Sequence, residues 1–146
     1  MSLYSYRFPR LAPRHEVVER YMQVDLEAAV AQALRAARAF LAFARRAAED
    51  GALPLALAAS MADGARQAVV ALQRALAGES VARSPLAMSV LRHCMVDLDT
   101  LHELSELLQH HDMTPRNTLH LANAMRDTAE KAVKGLLGVQ GMLGEE

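Results

Sequence analysis

Residues 26–44 read LEAAVAQALRAARAFLAFA. Leu26, Val30, Ala33, Ala37, Phe40 and Ala44 recur there at alternating intervals of four and three, which places them on one stripe of an α-helix. Arg35, Arg38, Arg45 and Arg46 fall away from the centre of that stripe. The segment is therefore apolar on one side and basic on the other. Downstream, Glu49-Asp50-Gly51 followed by Pro54 is a stop signal, because Gly adopts the left-handed conformation after a helix and Pro cannot continue one. Upstream, Val17, Val18, Tyr21 and Met22 share a helical face. Asp25 either caps a fresh start, leaving a short extra N-terminal helix, or sits inside one continuing helix over about residues 15–49.

The same reading extends to three further helices. Residues 54–77 put Leu57, Met61, Ala65, Ala68, Leu72 and Leu76 on an expected inner face, with Gly78 as the stop. Gly64 in the middle of this helix is read as a point of close backbone approach. Ser84-Pro85 is an N-cap followed by a first-turn proline, opening a helix over 85–111 with Leu91, Met95, Leu98, Leu101, Leu104 and Leu108 inward. Thr114-Pro115 repeats the device for a helix over 115–137, with Leu119, Ala122, Met125, Ala129, Ala132 and Leu136 inward and Gly138 as its expected end. Residues 139–146 are then a C-terminal tail. Four long helices with short breaks predict an all-α, up-down-up-down four-helix bundle over residues 15–138.

Composition agrees. Of 146 residues, 52% are apolar and only 4% aromatic, with no Trp, so Ala and Leu supply most of the core. Strand-forming residues are too few for an all-β or doubly wound fold. The formal net charge of −1 excludes the strongly positive field of a general nucleic-acid binder. A single cysteine, Cys94, allows no intrachain disulfide and no multi-cysteine zinc cage. The longest apolar run found in the first half, Gly51 to Ala62, is shorter than a membrane span, and MSLYSYRFPR does not have the form of a secretory signal. A cytoplasmic location and no membrane partner are expected, and the preference for Arg and Ala hints at a GC-rich bacterial gene.

Every aromatic residue lies in the first 43 positions. Pro9 and Pro13 argue for an extended arm over residues 1–14, in which Tyr4, Tyr6 and Phe8 recur with period two and present their rings on one side. This arm is a candidate anchor for a partner or a second subunit, the alternative being a strap over its own bundle.

The third helix concentrates the chemically capable side chains, holding His93, Asp97, Asp99, His102, Glu103, Glu106, His110 and His111. His93–Asp97, His102–Glu106 and Glu106–His110 have i,i+4 spacing, and Asp99 precedes His102 by one turn. Di-metal carboxylate bundles use Glu-x-x-His twice with further glutamates from two other helices, and no Glu-x-x-His occurs here. His93, Asp97, Asp99, His102 and Glu106 are therefore weak metal candidates beside the simpler reading of a solvated polar face. Cys94 belongs on or next to the core stripe, about 100° around the helix from His93, which does not favour a nucleophilic pair. No phosphate-binding loop, nucleophile elbow or zinc-protease motif is present. No enzyme activity and no cofactor are expected.

One charge pattern remains. Residues 28–48 carry four Arg and no acid, whereas residues 85–112 carry five acids and one Arg. The first and third helices stand diagonally in such a bundle, so these faces cannot neutralise one another within a subunit; they can meet between subunits or face an external partner, the alternative being ordinary solvated faces. The expectation is a protein that works through protein–protein contact, as a homodimer or with another protein, using Tyr4, Tyr6, Phe8, Arg35, Arg38, Arg45, Arg46, Glu103 and Glu106. The alternative is a bundle that binds a metal or a small apolar ligand, through the third helix or a Met- and Ala-lined interior.

Overall fold

A computed structural model describes residues 14–50, 55–78, 84–110 and 112–145, with side chains from Leu26 onward in the first segment and through Gly144 in the last. Four helices occupy these segments: α1 (Arg14–Asp50), α2 (Leu55–Ala77), α3 (Pro85–His110) and α4 (Pro115–Glu145). α1 packs on α2 and α4, α3 packs on the same two, and α1 and α3 scarcely touch. With connections of only four to seven residues, each helix runs antiparallel to the next, which is the up-down-up-down bundle.

The expected stripe of α1 is its buried stripe. Leu26, Val30, Ala33, Ala37, Phe40 and Ala44 are all inaccessible to solvent. The helix is continuous across Asp25, so no fresh start occurs there. Phe40 and Phe43 are both buried, so two of the early aromatics serve the core and not an outer anchor. The arm residues Tyr4, Tyr6 and Phe8 lie outside the described residues.

Both proline-initiated helices start as read. The Ser84 hydroxyl accepts the amide N–H of Ala87 at 3.4 Å, and the Thr114 hydroxyl accepts that of Asn117 at 3.1 Å, each satisfying a first-turn donor that has no partner inside its helix. Gly78 follows α2 directly, its N–H donating to the Arg74 carbonyl at 3.2 Å.

Four readings are corrected. α2 is rotated: Ala58, Ala62, Ala65, Ala68, Val69, Leu72 and Ala75 are buried, while Leu57 is 48% exposed and Met61 and Leu76 are only partly covered. Small side chains on the inward face bring the helix axes close, and the larger ones are displaced to the seams. A Cβ added to Gly64 meets nothing within 4 Å, so no backbone approaches there; the close approach is at Gly135 on α4. Finally, α4 does not end at Gly138 but runs to Glu145. Val139 and Leu143 extend the buried face of Ala132 and Leu136 at the same spacing, and their burial outweighs the roughly 1 kcal/mol that an exposed helical glycine costs. Leu119, expected inward on α4, is 47% exposed in its first turn, and Leu121 is buried in its place.

By length and composition alone α2 is apolar enough to cross a membrane. In the bundle its seven buried residues pack against α1 and α3 as a core helix.

Candidate interaction faces

α3 buries Ala87, Leu91, Cys94, Leu98, Leu101, Ser105 and Leu108, which turns its ionisable residues into three different directions. On the α2 seam, His102 Nδ1–H donates to the carbonyl of Ala62 at 2.9 Å, fixing the ring across the helix boundary. Its Nε2 lies 3.8 Å from Glu106 Oε1, and His110 Nε2 lies 3.2 Å from the other carboxylate oxygen. On the α4 seam, Asp97 sits 3.7 Å from Lys131 Nζ. His93 is exposed and its Nδ1–H folds back onto the Ser89 carbonyl at 2.8 Å, while Asp99 is exposed on the outside. Of the weak metal candidates, His102 and Glu106 stand side by side, whereas His93, Asp97 and Asp99 lie in other directions. Among the described residues no three His, Cys, Asp or Glu side chains converge in a way that could hold a metal ion.

The α3–α4 seam also holds Cys94. Its thiol is buried and lies 3.9 Å from the Ala132 carbonyl. Burial, and then the nearby Asp97 charge, push it up to about 11, so it is a protonated thiol at neutral pH. His93 is bonded to Ser89 on the exposed side and does not partner it. Burial likewise raises Asp97 above its ordinary value, although Lys131 and His93 pull in the opposite direction. These groups knit two helices together and offer no activated nucleophile.

The outside of α1 has another character. Arg35, Arg38, Arg45 and Arg46 are all exposed, Arg46 reaching Asp50 one turn on at 3.4 Å. Beside them the groove between α1 and α2 contains a hollow of about 590 Å³, framed by Ala39, Ala42, Phe43 and Ala47 on one helix and Leu57 and Met61 on the other. A second hollow of about 300 Å³ lies further along the same groove, between Ala28, Gln32, Ala71 and Arg74. Sequence reading missed this groove because Leu57 and Met61 were assigned to the core. The available signal was the alanines at 28, 39, 42 and 47, too short to fill a seam whose neighbours stand apart.

α3 presents the opposite charge. Asp99 and Glu103 are exposed and Glu106 is partly so, and they stand among Val96, 63% exposed, and Leu107, 45% exposed. Glu103, Glu106, Leu107 and His110 surround a shallow hollow of about 310 Å³. The arginines expected on one face and the acids expected on another are thus placed on opposite corners of the bundle. No family model matches the chain, and no curated protein or solved structure is similar to it.

Proposed function

We propose that this chain acts by protein–protein contact, as a self-associating helical bundle of the adaptor, regulator or structural kind, with a second copy of itself as its first partner. The observation that supports this reading is the exposure of Arg35, Arg38, Arg45 and Arg46 on α1 and of Asp99 and Glu103 on α3, on helices that scarcely touch. Faces so separated cannot neutralise one another inside one chain. Across two chains they complement each other and steer association. The exposed Val96 and Leu107 supply the apolar area that a charged rim alone lacks.

Sedimentation velocity over a range of protein and salt concentrations tests the reading. Self-association that rises with protein concentration and weakens as salt is added is expected, since exposed charges are screened beyond about 8 Å at physiological ionic strength. A monomer at every concentration in low salt overturns it.

A further inference from the structure

From the charges and hollows of the two faces we infer that self-association is head to tail: α3 of one copy lies along the α1–α2 groove of the next. This rests on the self-association proposed above and adds the partner surfaces and the symmetry. Two apolar side chains stand out of α3, Val96 and Leu107, separated by about 16 Å along the helix at 1.5 Å per residue. The groove has two hollows, one framed by Ala39, Ala42 and Phe43 and the other by Ala28 and Gln32, whose centres on α1 are about 17 Å apart by the same measure. With the two helices running parallel and Leu107 over the larger hollow, Val96 comes to the smaller one beside Gln32. That register brings Asp99 opposite Arg35 and Glu103 opposite Ala39, whose face of α1 also carries the exposed Arg35 and Arg46. The antiparallel arrangement places Arg92 of α3 against Arg46 and is disfavoured by like charge.

The fold decides the symmetry. A twofold dimer uses one patch on both subunits, whereas the α1 and α3 faces occupy opposite corners of the bundle. Each copy therefore offers one acidic ridge and one basic groove in different directions, and assembly proceeds to a ring or an open chain.

The test uses two charge-reversed chains of the full protein, Arg35→Glu with Arg46→Glu, and Asp99→Arg with Glu103→Arg, followed by sedimentation in low salt. Each alone is expected to associate more than about tenfold more weakly than the parent, because like charges then face each other. Mixed in equal amounts the two restore assembly, since the acidic groove of one accepts the basic ridge of the other. The circular dichroism of each variant should match the parent, all four positions being solvent-facing. Independently, Ala39→Cys in one chain and Glu103→Cys in another should form a mixed disulfide faster than either forms one with itself. Variants that assemble like the parent, or a mixture that stays monomeric, overturn the head-to-tail contact and leave self-association through another surface standing. Occupancy of the groove by a co-purifying small apolar molecule, with no mixed disulfide, overturns it as well. A parent chain that is monomeric throughout overturns the underlying proposal too.

Discussion

A Cβ built on Gly135 lies 2.6 Å from the Sγ of Cys94 and 3.4 Å from Val90 Cγ1. The thiol fills the space that a side chain on α4 would need, so α3 and α4 approach through a glycine of one and a cysteine of the other. At Gly135 the packing requires the absence of a side chain, whereas Gly64, Gly138, Gly141 and Gly144 have open space.

Gly135→Ala should therefore destabilise the protein by about 1–3 kcal/mol, the usual cost of overpacking, despite the better helix propensity of Ala. Gly64→Ala should stabilise it by about 0.5–1 kcal/mol, because only the propensity changes. Urea denaturation of both variants checks the pair of signs. Cys94→Ala in the Gly135→Ala background should recover part of the loss, because it removes the atom with which the new methyl collides.

Cys94 is buried with its thiol raised to about 11. Since the thiolate is the reactive form, alkylation at neutral pH should be slow in the folded protein and accelerate in step with added denaturant. Mass spectrometry after timed exposure to iodoacetamide measures this. Labelling at the rate of a free thiol in native buffer would contradict the burial.

Ser105 is fully buried on α3 and its hydroxyl has no hydrogen-bond partner among the described residues. Ser105→Ala removes a desolvated polar atom and keeps the volume nearly constant, so a gain of about 1 kcal/mol in chemical denaturation is expected. A loss of similar size would show that the hydroxyl is satisfied in solution.

Asp97 is raised above its ordinary value, burial exceeding the attraction of Lys131. The folded state then holds this proton more tightly than the unfolded one, so the contribution of Asp97 to stability is present below its ordinary value of 3.8 and is lost as pH rises through the raised value. Asp97→Asn should therefore stabilise the protein at neutral pH, and the difference should vanish in acid below the carboxylate range. Thermal melts of both proteins across this interval test the sign. A destabilised variant at neutral pH would mean that the ion pair outweighs burial.

The four helices, their proline and hydroxyl starts and the buried stripe of α1 were legible in residues taken a few turns at a time. Strict four-three spacing has one amphipathic solution, and an N-cap hydroxyl acts within three residues of itself. The exposure of the α1 arginines and of Glu103 followed from the same spacing. The rotation of α2 did not. Apolar residues cover most of its circumference, so its pattern admits several inward faces, and contact with α1 and α3 selected Ala58 and Ala62 over Leu57. The passage of α4 through Gly138 was settled by burial of Val139 and Leu143, a gain that exists only when the other helices are in place. His102 gave no hint that it would reach the Ala62 carbonyl, forty residues earlier. Local spacing and capping determine which segments are helical because their energies are local. The groove, the seams and the separation of the charged faces depend on how closely Ala-rich helices approach one another, and only the assembled bundle sets that distance.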